Sequence, residues 1–326
     1  MSIRRAAHLG VAVLATYLVR VLVRFKPQRW CPPAISLRLF RLSSELTNSI
    51  QTADLRRRVP GSGFSVRSDL AYSAGPHGRL DLAVPDGPGP HPWVVWAHGG
   101  GWHFGDKRDV LPYAEMLAAR GFAVAAVNYP LAPRAKYPAA PDAVAAAVSH
   151  LVEHADELGL DPDRLVLAGD SVGAQLVSEL AVRESVAVRG LVLFCGIFDP
   201  LGLDDSNRIF EAVLESAMWS VTGTRGWRTS TACASMTIVD RARADFPPTF
   251  LSAGNQDPLT RRQTPPMAKR LTELGVPLEE FYPGDEAEPC FHEYQMRLGT
   301  AAGAEAFERV VAFLERTVGR QASNSH

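Results

Sequence analysis

A serine between two glycines has the spacing of an activated nucleophile. Residues 169–173 read Gly-Asp-Ser-Val-Gly, a GxSxG pattern whose glycines permit a sharp turn. An apolar run at 165–168 precedes the turn, and an apolar helical pattern at 172–182 follows it. A strand, a turn and a helix in this order would raise the Ser171 oxygen above the sheet at a helix N-terminus. The pattern therefore predicts that Ser171 attacks a carbonyl carbon.

Three consecutive glycines could supply hydrogen-bond donors for the oxygen of that carbonyl. Residues 98–102 read His-Gly-Gly-Gly-Trp and directly follow the apolar run 93–97. Backbone N–H groups of such a loop can bind an oxygen that becomes negative in acyl transfer, each worth about 2.7–4 kcal/mol of barrier. We expect the donors to be Gly100, Gly101 and the N–H of Val172. No GK[ST] or GxGxxG pattern accompanies the glycines, which disfavours a phosphate cradle.

A base and an acid follow the nucleophile in the chain. Of nine histidines, only His292 and the terminal His326 come after the candidate acid Asp257, and only His292 precedes the last predicted helix. Asp257 follows the predicted strand at 249–253. Asp285 competes for the same role, but it belongs to an acidic cluster typical of a solvated loop. Position thus favours Asp257 as the acid and His292 as the base.

Strand and helix patterns alternate along the chain and must position these groups. Alternation of this kind predicts a mainly parallel sheet with helices on both faces, and ligands then bind at the carboxyl ends of the strands. The predicted strands are 64–72, 80–84, 93–97, 122–129, 164–168, 190–195, 249–253 and 278–282, and the predicted helices are 110–120, one from 142, 172–182, 262–274 and 302–317.

These motifs resemble those of the hormone-sensitive-lipase-like carboxylesterases of the α/β-hydrolase superfamily. The resemblance spans about residues 80–318 and is carried by HGGGWHFGDK, YPLAPRAKYPAAPDA, DPDRLVLAGDSVGA, FPPTFLSAGNQDPL and FHEYQ. It implies an α/β-hydrolase fold with a helical cap and a triad of Ser171, Asp257 and His292, with no metal or organic cofactor. Because the base follows the nucleophile in this fold, His98 and Gly99 are expected to support the glycine loop.

Some positions depart from the family pattern. Val172 and Ala174 replace the Ala and Gly of GDSAGG, changes that leave backbone donation intact. Glu293 stands where glycine commonly follows the catalytic histidine. A carboxylate this close could raise the pKa of His292. Exposed glutamate is the rule, however, so we expect the Glu293 side chain to point to solvent.

The segment at about 196–245 is too long for an ordinary strand-to-helix link. The resemblance makes it a cap inserted into a catalytic domain of residues 61–326. Trp102, together with Phe210 and Trp219 of this segment, is expected to shape the substrate pocket.

The first 60 residues form a separate basic and apolar segment, predicted to be helical. Residues 1–44 contain no acidic residue, and the apolar run 6–19 is shorter than the roughly 20 residues that span a bilayer. Three interpretations stay open: a membrane anchor through residues 6–25, a signal peptide, and a helix that packs over the active site as a cap. A cytoplasmic or peripheral membrane location and a homodimer also stay open.

Composition limits the classes of function. The 326 residues are 46% apolar and carry a net charge of -1, which excludes a disordered chain and gives no overall attraction to nucleic acid. The four scattered cysteines predict reduced, mostly buried thiols and no zinc site.

The predicted function is hydrolysis of carboxylic esters with short or medium acyl chains. The alternatives are an arylformamidase or amidase with the same triad and a non-catalytic protein that binds a small molecule.

Overall fold

The strands form one eight-stranded sheet in the part of the chain that the structure describes. This computed structural model describes residues 42, 45, 48–184, 186–203, 208–257 and 262–319. The strand order is β1-β2-β4-β3-β5-β6-β7-β8, in which β2 pairs antiparallel with β1 and β4 and all other pairs are parallel. The strands are β1 (Phe64–Ala71), β2 (Arg79–Pro85), β3 (His91–Ala97), β4 (Ala123–Val127), β5 (Leu160–Asp170), β6 (Gly190–Phe194), β7 (Thr249–Ser252) and β8 (Leu278–Phe281).

Helices connect the strands and cover the sheet. Residues 48–56 are helical and precede β1. The later α-helices are α1 (Lys107–Ala118), α2 (Ala139–Glu153), α3 (Ala155–Leu158), α4 (Val172–Val182), α5 (Arg208–Thr222), α6 (Thr231–Met236), α7 (Thr264–Glu273) and α8 (Ala301–Val318). Short 3-10 helices span Pro200–Leu203, Trp227–Thr229 and Tyr294–Met296.

The central strands are buried on both faces. In β3, Trp93 and Val95 join one apolar cluster with helices α2 and α4, whereas Val94 and Trp96 join the opposite cluster with α1 and α8. This division follows from the alternation of side chains along a strand. The predicted mainly parallel sheet with helices on both faces is therefore confirmed.

Helix α1 begins three residues before the predicted start at residue 110. Asp106 caps this helix by accepting a hydrogen bond from the Arg108 N–H, and Asp109 accepts one from the Asp106 N–H, each at 3.0 Å. This reciprocal capping satisfies N–H groups that would otherwise lack partners in the first turn. The spacing of apolar residues alone does not reveal this helix start, because the capping residues are polar.

The strand order brings four carboxyl ends together. Ala97 of β3 pairs with Gly169 of β5, Asp170 pairs with Phe194 of β6, and Phe194 pairs with Ser252 of β7. The loops that follow these strands therefore leave the sheet at the same edge, where ligands bind in such sheets. They carry the glycine loop, Ser171 and Asp257, and the loop that carries His292 follows β8, whose Phe281 pairs with Ser252.

The N-terminal interpretations concern residues that the structure does not describe. The apolar run 6–19 and the segment 6–25 lie outside the described residues, as does Cys31. Among the residues that are described, no helix is both long and apolar enough to cross a membrane.

Candidate active site

Ser171 occupies a strained turn between β5 and α4. Its backbone has φ 53° and ψ -120°, a conformation that costs a non-glycine residue about 1–3 kcal/mol. The Ser171 N–H donates to the Phe194 carbonyl oxygen at 2.8 Å, which fixes the turn to the end of β6. Ser171 is also the N-cap residue of α4, so its side chain lies at the positive end of the helix dipole.

The two glycines of the GxSxG motif allow α4 to lie close against the sheet. A Cβ on Gly169 would overlap the backbone of Gly173. A Cβ on Gly173 would overlap the Ala97 carbonyl oxygen and stand 2.7 Å from the His98 carbonyl oxygen. Backbone atoms in a sheet cannot move away as a flexible side chain can, so both positions require glycine for close packing.

Replacing Gly173 with alanine is therefore expected to lower the free energy of unfolding by about 1–3 kcal/mol, the usual cost of overpacking. Urea denaturation followed by tryptophan fluorescence measures the change as a lower midpoint. Gly61→Ala is the matched control because a Cβ there has no atom within 4 Å. Equal midpoints for the two variants would contradict the packing argument.

The glycine loop after β3 leaves two N–H groups available. Gly100 and Gly101 adopt φ values of 120° and 57°, and a Cβ on Gly100 would overlap the Phe104 carbonyl oxygen. Among the described residues, neither glycine N–H donates a hydrogen bond. The first N–H of α4, that of Val172, has no intrahelical acceptor. These three N–H groups are the candidate donors to an oxyanion.

His98 is buried beside this loop. Its Nδ1 lies 2.6 Å from the Gly99 carbonyl oxygen, and its ring stacks on Tyr129 with 4.3 Å between ring centroids. The Tyr129 hydroxyl donates to the His98 carbonyl oxygen at 2.7 Å. Burial lowers the pKa of His98, which favours the neutral imidazole. These contacts suit a residue that supports the loop.

The acid and base loops are joined to each other by hydrogen bonds. The Gln256 N–H donates to the Cys290 carbonyl oxygen, and the Cys290 N–H donates to Asn255 Oδ1, both at 2.9 Å. A Cβ on Gly254 would overlap the same Cys290 carbonyl oxygen, so the two loops lie in close contact. Asp257 and His292, which follow these anchor points, are thereby held side by side.

His292 and Asp257 form a hydrogen bond of 2.8 Å between Nδ1 and Oδ2. The Asp257 carboxylate is fully buried, whereas the His292 side chain retains 26% exposure. Burial by itself would lower the pKa of His292, but the charge of Asp257, the hydrogen bond to it and the charge of Glu293 raise that pKa to about 9. Asp285, the competing acid, lies exposed on the surface.

The expectation that Glu293 points to solvent is wrong. Its side chain is only 16% exposed, and its Oε1 lies 3.9 Å from His292 Nε2. Glu293 has a left-handed backbone, with φ 56°, and its carboxyl group turns inward against Gly99 and Asp170. General exposure preferences could not reveal this arrangement because the partner Asp170 is distant in the sequence.

Asp170 is a site residue that the sequence argument missed. Its Oδ1 accepts from Trp96 Nε1 and its Oδ2 accepts from the Gly99 N–H, both at 2.7 Å. Asp170 therefore ties the nucleophile turn to β3 and to the glycine loop. Its position next to Ser171 in the GxSxG motif was the available signal.

Cys195 follows β6 and lies next to the acid and base. Its Sγ and ligand atoms of Asp257 and His292 all lie within 4.8 Å of one another, and this is the one cluster of metal-ligating groups among the described residues. His292 Nδ1 already binds Asp257, and burial raises the pKa of the Cys195 thiol well above its usual range. A metal ion would have to break that hydrogen bond and ionise this thiol, so the donor set is poorly suited to one. The three described cysteines, Cys195, Cys233 and Cys290, are free and buried as predicted.

The predicted pocket residues differ in their surroundings. Trp102 is buried and lines a small apolar cavity together with Ala132, Tyr137 and Val221. Trp219 is 37% exposed beneath the Arg225 guanidinium, 4.5 Å from the ring centroid, and does not line this cavity. Phe210 lies in α5, but its side chain is outside the described part of the structure.

Comparison with known proteins places this geometry in a family. The sequence family described as alpha/beta hydrolase fold matches residues 94–292, which include the glycine loop, Ser171, Asp257 and His292. The chain belongs to this α/β-hydrolase family. Over 243 residues it is 31% identical to carboxylesterase NlhH of Mycobacterium tuberculosis, a match that covers 70% of this chain and 74% of the relative. This α/β hydrolase is therefore an enzyme of the carboxylesterase type.

Shorter matches and solved structures agree with that assignment. Ethyl acetate hydrolase of Pseudomonas putida is 41% identical over 113 residues, covering 32% of this chain and 35% of the relative. Mouse hormone-sensitive lipase is 34% identical over 131 residues, covering 40% of this chain and 17% of the lipase. A bacterial heroin esterase shares the α/β-hydrolase fold with a TM-score of 0.70 and 24% identity, over 85% of this chain and 90% of the esterase.

Proposed function

We propose that this α/β hydrolase cleaves carboxylic esters of short or medium acyl chain by way of an acyl-enzyme on Ser171. The observation that carries the proposal is the 2.8 Å hydrogen bond between His292 and Asp257, in loops that leave the same sheet edge as the Ser171 turn. An acid that orients a histidine base beside a strained serine is the arrangement of a serine hydrolase.

In the proposed reaction, the Ser171 oxygen bonds to the ester carbonyl carbon while His292 Nε2 takes the hydroxyl proton. The carbonyl oxygen becomes negative and accepts hydrogen bonds from Gly100, Gly101 and Val172. The bond to the alcohol oxygen then breaks, and His292 returns the proton to that oxygen. Water repeats the sequence on the acyl-enzyme, which releases the carboxylic acid and restores Ser171.

The segment at about 196–245 serves as the cap in this proposal. Two contacts between α5 and the catalytic domain support it: His103 Nε2 is hydrogen bonded to Ser220 Oγ at 2.6 Å, and the Tyr137 N–H donates to the Val221 carbonyl oxygen at 2.8 Å. The small apolar cavity beside Trp102 lies between this helix and the glycine loop. Val221 of α5 and Trp102 thus share one apolar cavity, whose described lining does not include Ser171 or His292.

A graded series of 1-naphthyl esters tests the proposed substrate class. We expect kcat/KM to be highest for short or medium acyl chains and to exceed the value for a matched arylformamide. A fluorophosphonate probe should label the wild type at Ser171. A higher rate on the arylformamide would make the protein an amidase, and absence of both turnover and labelling would make it a binding protein.

The pH dependence follows from the raised pKa of His292. The base must be neutral to accept a proton, so activity is lost as pH falls below the His292 pKa of about 9. We expect kcat/KM to rise roughly tenfold between pH 7 and about pH 8, where an ordinary histidine would already be neutral. Stopped-flow kinetics with a 1-naphthyl ester measures the profile. A plateau that begins near pH 7 would contradict it.

A further inference from the structure

Two carboxyl groups meet beside the nucleophile. Asp170 Oδ2 and Glu293 Oε1 each lie 2.5 Å from the point where a Cβ on Gly99 would stand, and the two side chains are hydrogen bonded to each other. The Cβ of Ser171 lies 3.2 Å from the same point. The glycine loop, the nucleophile turn and the base loop therefore converge on Gly99, where any side chain would displace the carboxyl groups.

A hydrogen bond between two carboxyl groups requires a proton on one of them, because an ionised carboxylate has only acceptors. Asp170 already accepts hydrogen bonds from Trp96 Nε1 and the Gly99 N–H. Such donors favour the ionised form of the group that accepts them. Glu293 is then the group that carries the proton and donates it to Asp170.

We infer that Asp170 and Glu293 share one proton and act as positioning residues, holding the loop that carries His292 against the turn that carries Ser171. The inference rests on the proposed function, since it assigns His292 and Ser171 their roles. It adds a pair of side chains that act through the loops of Ser171 and His292 and not on the ester itself.

Few groups around the pair could compensate the negative charge of two carboxylates. Asp109 of α1 and His98 of the glycine loop line the same cavity, and no lysine or arginine lies among its described lining residues. Asp109 is an acid, and buried His98 has a lowered pKa that favours its neutral form. The side chains that helix 48–56 contributes to the cavity carry no charge: Asn48, Gln51, Thr52 and Leu55.

His292 is a further titratable neighbour of Glu293, and it allows an alternative to the shared proton. Its Nε2 lies 3.9 Å from Glu293 Oε1, so a protonated His292 could pair with an ionised Glu293. That arrangement would leave two carboxylates in contact with each other. A shared proton removes this repulsion and lessens the negative charge of Glu293 beside His292, which is one of the charges that raise the His292 pKa.

The pair sets an alkaline limit on activity. Burial and the charge of Asp170 raise the pKa of Glu293 to about 8. As pH rises through this value the pair loses its proton, the carboxylates repel each other, and the base loop loses a contact that positions it. His292 becomes neutral with a pKa of about 9 and the pair loses its proton with a pKa of about 8, so the two titrations overlap. Activity rises with His292 up to about pH 8 and declines above about pH 9 as the pair ionises, giving a narrow bell whose limbs report macroscopic pKa values of the coupled groups.

The kinetics of two variants distinguish a shared proton from a merely structural role of Glu293. We expect Glu293→Ala to lower kcat roughly 10- to 100-fold through misplacement of the base. Glu293→Gln should recover most of that loss, because its amide donates to Asp170 at every pH, and it should lack the alkaline decline. Glu286→Gln makes the same chemical change on an exposed part of the same loop and should retain the wild-type bell. An unaltered alkaline decline in Glu293→Gln would overturn the inference.

Infrared spectroscopy of the resting enzyme tests the proton without using turnover. We expect the wild type to show the C=O stretch of a protonated carboxyl group at pH 7, to lose it as pH is raised, and to lack it in Glu293→Gln. A band that titrates in an enzyme inactive on every ester would support the pair and reject the proposed function. No such band in the wild type, or the same band in Glu293→Gln, would overturn the pair even if esters are hydrolysed.

Discussion

Replacing Ser171 with alanine is expected to lower kcat for ester hydrolysis by roughly 10⁶-fold, close to the loss from removal of a whole triad. Without the hydroxyl group, no acyl-enzyme forms, and the remaining rate comes from water activated near the glycine loop. The variant should also lose labelling by a fluorophosphonate. Initial rates with a 1-naphthyl ester, at enzyme concentrations high enough to measure the residual rate, give the ratio.

Ser178→Ala is the matched control. Ser178 lies in α4, which follows the nucleophile turn, and its buried hydroxyl has no hydrogen-bond partner among the described residues. Removal of this hydroxyl should change kcat by less than about twofold. Both variants should keep the wild-type free energy of unfolding, measured by urea denaturation, within about 1 kcal/mol. Turnover and labelling that persist in Ser171→Ala would require another nucleophile.

Replacing Asp257 with asparagine is expected to lower kcat by roughly 10⁴-fold. Asparagine lacks the negative charge that accepts the hydrogen bond from His292 Nδ1–H, and its NH₂ group can donate to Nδ1 instead. The substitution therefore favours the wrong tautomer and leaves the imidazolium unstabilised. The pKa of His292 should fall from about 9 because its raised value depends first on the charge of Asp257 and on the hydrogen bond to it. A pH profile measured with the same ester reports both changes.

Asp285→Asn tests the alternative acid under identical conditions. Asp285 is exposed and belongs to the loop between β8 and α8, so its neutralisation should change kcat by less than about twofold. A large loss in Asp285→Asn combined with a small one in Asp257→Asn would reverse the assignment of the acid.

Local sequence patterns predicted the parts of the site that depend on the backbone. The GxSxG turn and the glycine loop are short segments in which steric limits on φ and close packing select glycine, so residue type and spacing reveal them. The acid and base required a different argument, namely their order along the chain and the small number of histidines after Asp257. Both arguments identify groups without measuring any distance between them.

The sequence could not predict contacts between side chains from distant segments. Glu293 was expected in solvent because glutamate is usually exposed, and only the strand order brings it to Asp170. The start of α1 was placed too late because a polar capping pair, not apolar periodicity, determines it. The pocket residues of the inserted segment follow no pattern that links them to the site, and Trp219 accordingly faces Arg225 at the surface.

The strand order divides the catalytic groups unequally between the interior and the margin of the sheet. The Ser171 turn follows β5, which has a paired neighbour on each side, whereas His292 follows β8, an outermost strand that pairs with β7 alone in the described part of the chain. Outermost strands open at lower free energy than central ones, so amide hydrogens near the base should exchange with solvent before those beneath the serine. Mild warming would then abolish activity by opening β8 and the loop that carries His292 while most of the molecule stays folded. Cooling would restore the activity.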